Sequence, residues 1–135
     1  SHAGMKIIND AYNASPDSMK AALEYLNQRG RGKKKAAILG DMLELGDFSK
    51  SAHFEIGKYA ADKADKIIAI GNFSKELADG AMEGKADDAC IFAFPTVEDA
   101  LPKITSLVED CDIILVKASR GMKLEQITQL LVRGS

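Results

Sequence analysis

Short apolar runs rich in β-branched residues alternate along this chain with longer stretches in which apolar residues return every three or four positions. The alternation repeats five times, with no low-complexity segment or linker between the units. Residues 6–9 predict the first strand. Ser15-Pro16-Asp17 then supplies an N-cap, a proline at the first helical position and an acid in the first turn. Met19, Ala22, Leu23 and Leu26 follow at helical spacing, the stripe of a helix with one face on a sheet, and Gly30-Arg31-Gly32 stops it after residue 29. Residues 36–39 predict a second strand, and a loop over 40–46 leads to a helix over 49–63 capped by Ser49 or Asp47. A third strand over 66–70 runs into the turn Gly71-Asn72, and Ser74 is placed to cap a helix bearing Leu77, Ala78, Ala81 and Met82. Residues 90–94 read as strand four. Thr96 and Asp99 approximate a capping box for a helix carrying Val97, Leu101, Ile104 and Leu107, with Pro102 removing a donor and kinking it. The run over 112–117 is almost wholly apolar, as expected of a strand covered on both faces, and 124–132 predicts a further helix. Five βα units in series predict a single α/β domain, a Rossmann-like doubly wound and mostly parallel sheet.

With 135 residues, 46% of them hydrophobic and 28% charged, the chain is long enough to bury one sizeable core. Eighteen Lys and Arg against twenty Asp and Glu leave a net charge of -2, too balanced for a surface that reads phosphate backbones, so no nucleic acid partner is expected. No apolar run approaches the roughly 20 residues that cross a bilayer, and the N-terminal residues lack the layout of a signal peptide. A cytoplasmic protein with no membrane partner is therefore expected. Cys90 and Cys111 stand apart with no CxxC, and only two His accompany them, which leaves no metal cluster or disulfide framework. Both thiols are expected reduced in the core. Ser1-His2-Ala3-Gly4, ahead of Met5, has the look of a tag remnant, which makes 5–135 the expected domain.

In an open parallel sheet, ligands bind beyond the carboxyl ends of the strands, where loops and helix N-termini converge. The polar loop residues fall there: Asn9, Asp10, Tyr12 and Asn13 after the first strand, then Gly40, Asp41 and Glu44, then Gly71 and Asn72, and finally Lys117, Ser119 and Arg120. They predict one shared rim, although Asp, Asn, Gly and Ser are also ordinary turn residues. Arg120, between Ser119 and Gly121, suits a carboxylate or phosphate held by its forked guanidinium and nearby backbone amides, and the plainer reading is a surface ion pair. Lys117 ends an apolar strand, where a lysine commonly just reaches into water. His53, one turn into the second helix near Ile56 and Gly57, reads more simply as a packed, hydrogen-bonded side chain than as a catalytic base. The stretch over 30–35 lacks the GxxxxGK[ST] spacing and precedes a strand, so it is a basic turn, and no GxGxxG follows the first strand. Residue chemistry alone supports an anion-binding rim.

Three stretches are more specific: Asp10-Ala11-Tyr12-Asn13-Ala14-Ser15-Pro16-Asp17-Ser18-Met19, Leu39-Gly40-Asp41-Met42-Leu43-Glu44-Leu45-Gly46 and Lys117-Ala118-Ser119-Arg120-Gly121-Met122-Lys123-Leu124-Glu125. In this order they resemble the C-terminal domain of the Mur ligases, in the branch that adds D-alanyl-D-alanine. His53 followed by Ile56-Gly57 falls where that branch usually has a His and an Ile/Val-Gly pair. Ser15 stands where many relatives have Asn, and Ala118 where many have Gly. The resemblance implies a three-domain ligase whose N-terminal domain grips a UDP-sugar and whose central domain carries the ATP-binding P-loop and Mg2+ ligands. In its reaction ATP phosphorylates the terminal carboxylate of UDP-N-acetylmuramoyl-tripeptide. The amine of D-Ala-D-Ala then attacks the acyl phosphate to form an amide, a step of peptidoglycan precursor synthesis. The resemblance further implies that Asp10 and Tyr12 lie near the ATP ribose and phosphates, with Asn13 at the junction. Ser119, Arg120 and the Asp41 loop would face the dipeptide, with His53 and Lys117 in support. ATP and Mg2+ belong to the full-length enzyme, so the isolated domain is expected to carry no cofactor or metal and to be inactive. A stand-alone small-ligand-binding or regulatory α/β domain would explain the fold and rim but not three motifs in family order. A dehydrogenase cofactor domain would need the missing glycine fingerprint.

Overall fold

Strands β1 (Lys6–Asp10), β2 (Lys35–Leu39), β3 (Lys66–Ile70), β4 (Ile91–Phe94) and β5 (Ile113–Lys117) form one sheet in the order β1-β5-β2-β3-β4. Every pairing is parallel. The structure is a computed structural model and describes residues 5–10, 13–84 and 86–133. Helices α1 (Pro16–Arg29), α2 (Ser49–Ala60), α3 (Ser74–Glu83), α4 (Val97–Val108) and α5 (Glu125–Arg133) follow the strands in turn. Because successive side chains of a strand point to opposite faces, the strands feed two cores. Ala37, Leu39, Ile67 and Leu115 pack under α1, α2 and α3, whereas Ile38, Ile68, Ile114 and Val116 pack under α4 and α5. All five residues of β5 are buried, as its apolar run requires, while β1 at the sheet edge is only partly covered. The sheet is doubly wound, as the alternation of periods predicts.

Helix starts hold the main differences from the sequence reading. Ser15 caps α1 as expected, accepting the Ser18 amide at 3.2 Å in a reciprocal box. Thr96 caps α4 by accepting the Asp99 amide at 3.1 Å, and α4 runs unbroken through the exposed Pro102. Neither Ser49 nor Asp47 caps α2. A 3-10 turn over Gly46–Phe48 runs directly into that helix, leaving Phe48 with helical backbone where a cap needs extended backbone. The helix ends at Ala60, three residues short of the expected 63. Ser74 is likewise the first residue of α3 and caps nothing. Cys111 is buried, and burial pushes its thiol up to about 11. Cys90 is only half-buried, in a short 3-10 turn over Asp88–Cys90 before β4, and so does not belong to the core.

At the amino ends of the strands, Asp110 joins the start of β2 to the start of β3. Its carboxylate pairs with Lys34, and it accepts from Lys66 Nζ at 2.9 Å while that ammonium also donates to the Leu107 carbonyl at 2.7 Å. The Lys34 hydrogen bond, reinforced by Lys66, holds the Asp110 carboxyl well below the usual carboxylate range. A depressed folded value stabilises the fold above the unfolded value of about 4 and loses that contribution as pH falls below it. Because the Asp110 side chain is 47% exposed, screening keeps the effect small. Asp110→Asn is expected to cost under about 1 kcal/mol at pH 7. The melting difference between parent and variant should shrink as the pH drops to about 2.5, and a difference that stays constant over that range would contradict the assignment.

Candidate functional site

The chain leaves β5 for α5 on one face of the sheet, while β1 and β2 lead to helices on the other, so β5 is flanked by topological switch points at its carboxyl end. The loops after β1, β2 and β5 meet there. Asp10 lies beside Lys117 in the β1–β5 register, and the Lys117 ammonium donates to Asp10 Oδ2 at 2.6 Å and to the Asn13 carbonyl at 2.9 Å. Lys117 is 1% exposed, so the expectation that it reaches into water is wrong. Two acceptors on the loop after β1 hold its ammonium inside the rim.

Asp41 is also 1% exposed. Its Oδ2 accepts the Asn72 amide at 2.9 Å and its Oδ1 the Phe73 amide at 3.0 Å, so a residue after β2 satisfies the start of α3 that Ser74 does not. Gly71 stands at φ +125, and a Cβ on it would lie 2.6 Å from that carboxylate. Asp41 therefore contributes position to the rim and not an open carboxylate. Its own carbonyl accepts the Ser119 amide at 3.1 Å, and Ser119 Oγ accepts the Leu43 amide at 3.1 Å, which pins the β2 loop to the β5 loop.

His53 is fully buried and stacks on Phe73 with ring centroids 4.5 Å apart. Its Nε2 accepts the Met42 amide at 2.9 Å. A backbone amide only donates, so the ring proton sits on Nδ1 and is donated to the Ser49 carbonyl at 2.6 Å. Acting as a base would require the ring to release Met42. His53 is a post under the loop after β2.

Arg120 lies at the start of an exposed 3-10 turn, Arg120–Met122, which separates β5 from α5. The two non-glycine residues with positive φ among the described residues, Glu44 at 64° and Lys123 at 58°, both belong to this rim. Tyr12 lies outside the described residues. Beside the Arg120 turn opens a cleft of about 270 Å³, lined by Asp41, Gly71 and Asn72, by Thr96 and Glu98 at the start of α4, and by Lys123 and Gln126. Its volume lies just below the roughly 300–1,000 Å³ of drug-sized ligand sites, which suits a small polar molecule. From sequence Thr96 reads only as a helix cap and Lys123 only as part of the third motif, and nothing there singles out Glu98 or Gln126. A larger groove of about 410 Å³ lies away from the rim against α1 and α2, near Lys20, Tyr59 and Lys63. There Tyr59 donates to Glu24, and Lys63 pairs with Glu24 at 3.4 Å, so both side chains are engaged on Glu24. Among the described residues no group of His, Cys, Asp and Glu could hold a metal ion, and no helix is long and apolar enough to cross a membrane.

A doubly wound parallel sheet with polar loops gathered at its switch points defines the class: a Rossmann-like α/β domain built around a ligand-facing rim. Comparison with known proteins is more specific. The family described as Mur ligase, glutamate ligase domain, matches residues 1–120, and the chain belongs to that family. It is 41% identical over 133 residues to the UDP-N-acetylmuramoyl-tripeptide–D-alanyl-D-alanine ligase of Bacillus subtilis, covering 98% of this chain and 29% of that protein. The Rickettsia prowazekii ligase of the same name is 42% identical over 123 residues, covering 90% of this chain and 26% of its own length. Among solved structures, MurF from Acinetobacter baumannii superposes with a TM-score of 0.83 at 32% identity, covering 98% of this chain and 28% of that one. MurF ligase from Thermotoga maritima in complex with ADP superposes with a TM-score of 0.73 at 28% identity, covering 98% and 29%. The chain thus spans less than a third of the length of these relatives.

Proposed function

We propose that this chain is the C-terminal domain of an ATP-dependent ligase that joins D-Ala-D-Ala to UDP-N-acetylmuramoyl-tripeptide, through an acyl phosphate, in the cytoplasmic assembly of peptidoglycan precursors. The observation that carries this reading is the convergence of the three motif loops on one rim, tied to each other through Lys117, Asp41 and Ser119. The likeness to UDP-N-acetylmuramoyl-tripeptide–D-alanyl-D-alanine ligases over nearly the whole chain supports the choice of acceptor. In this reading Asp10, Tyr12 and Asn13 form the side of the rim that meets ATP. Ser119 and Arg120 face the dipeptide, at the edge of the cleft that Gly121, Met122, Asn72 and Thr96 line. The guanidinium of Arg120 pairs with the dipeptide carboxylate. Asp41 and His53 hold the loop after β2 in place for it.

The described residues offer no metal cluster, and the sequence has no GxxxxGK[ST] phosphate loop, so the triphosphate and Mg2+ would be held by the rest of the ligase. This domain would cover them. An acyl phosphate must be kept from water until the amine arrives, which a domain closing over loaded substrate achieves. The 135-residue chain alone is therefore expected to release phosphate at background when given ATP, Mg2+, the tripeptide substrate and D-Ala-D-Ala. Rejoining it to the remainder of the ligase should restore turnover. Sustained ATP hydrolysis by the pure domain would contradict this division of labour.

A further inference from the structure

We propose that Lys117 is a positioning residue that ties the end of β1 and Asn13 to the strand that leads into Ser119 and Arg120, so that the two sides of the rim are set as one unit. What those sides face rests on the function proposed above; the tie itself rests on geometry. A buried ammonium is costly to desolvate, and an apolar side chain at the end of β5 would continue its run of buried residues without that cost. The ammonium instead reaches acceptors on both Asp10 and Asn13, at 2.6 and 2.9 Å. It thereby holds the end of β1 and Asn13, three positions further on. The Asp10 side chain is 43% exposed, so the partner draws the lysine inward while remaining reachable from the rim. Through its backbone carbonyl Lys117 also accepts the Gly40 amide at 2.9 Å, at the start of the loop after β2. Two positions further on, Ser119 is held by the Asp41 carbonyl and the Leu43 amide. Lys117 is thus the residue through which the loops after β1, β2 and β5 share one frame.

Lys117→Met keeps the length and the apolar stem and removes the ammonium. The Asp10 carboxylate left behind is 43% exposed and open to hydration, which spares it most of the cost of an unpaired buried charge, so the variant should fold and melt within a few degrees of the parent. In the isolated chain, hydrogen exchange of the Ser15 and Ser18 amides, which close the capping box two residues beyond Asn13, should accelerate at least about tenfold, while exchange in β2 and β3 stays unchanged. Asp10→Asn, which keeps the acceptor and loses its charge, should move the same amides in the same direction by less. In the full-length ligase Lys117→Met should raise the KM for both ATP and D-Ala-D-Ala, with the kcat of the saturated enzyme nearly kept. A merely structural lysine would lower the amount of active enzyme and move neither KM. Unchanged exchange at Ser15 and Ser18 in both variants would overturn the tie. Unchanged KM values, in an enzyme whose Arg120→Ala variant does lose dipeptide use, would overturn the positioning role. If Arg120→Ala also leaves dipeptide use intact while exchange accelerates, the functional reading of the rim falls and the tie stands.

Discussion

A Gly71→Ala domain is expected to melt about 10 °C below the parent, the largest stability effect of any single methyl group at the rim. Two costs add at this position. Gly71 has φ +125, where side-chain-bearing residues are strained, and the new Cβ would lie 2.6 Å from the carboxylate of Asp41. That carboxylate is not free to swing aside, because its two oxygens accept the Asn72 and Phe73 amides and its residue is buried. Strain of this kind and overpacking each cost about 1–3 kcal/mol, so a total of roughly 3 kcal/mol is expected. Thermal unfolding followed by far-ultraviolet circular dichroism measures it. An alanine variant melting within about 2 °C of the parent would mean that the Asp41 carboxylate is not seated against Gly71.

The second large effect is expected on function. In the full-length ligase, Arg120→Ala should lower kcat/KM for D-Ala-D-Ala by on the order of ten- to a hundredfold, the loss of a charge-assisted contact of roughly 1.5 to 3 kcal/mol. The KM for ATP should move far less, because the guanidinium is assigned to the dipeptide carboxylate. Arg120→Lys keeps the charge but not the planar fork and should fall between the two. Melting curves of both variants check that the loss is one of kinetics and not of folding. A folded Arg120→Ala enzyme with parental dipeptide kinetics would return this residue to an ordinary surface arginine.

The strands, their parallel direction and the gathering of polar loops at one end were legible because they follow from short-range periodicity and from one topological rule. Features that depend on residues distant in the chain were not. The start of α3 is satisfied by Asp41, 31 and 32 positions before the amides it accepts, so the local pattern pointed wrongly to Ser74. Lys117 looked like a solvated strand end because its partner Asp10 lies 107 positions away. Ser49 has the composition of a cap, but the 3-10 turn before it fixes a helical backbone at Phe48, which cancels the cap geometry. The cleft draws on the connections after β2, β3, β4 and β5, and residues such as Thr96 and Gln126 carry no periodic signal that would join them. Of the candidate site, Asp10, Asn13, Asp41, Lys117, Ser119 and Arg120 do share one rim at the carboxyl end of the sheet, whereas the roles of Asp41 and Lys117 had to be read from their burial and partners.

The most direct measurement is an acceptor comparison with the full-length enzyme that carries this chain as its C-terminal part. Purified enzyme would be given ATP, Mg2+ and UDP-N-acetylmuramoyl-tripeptide, with D-Ala-D-Ala, D-Glu or meso-diaminopimelate as the amine, and the products resolved by mass spectrometry. With D-Ala-D-Ala the expected product is UDP-N-acetylmuramoyl-pentapeptide, formed with one ADP and one phosphate per amide, and no amide is expected with the single amino acids. A folded enzyme that forms no amide with D-Ala-D-Ala, or that prefers one of the single amino acids, would contradict the proposed function.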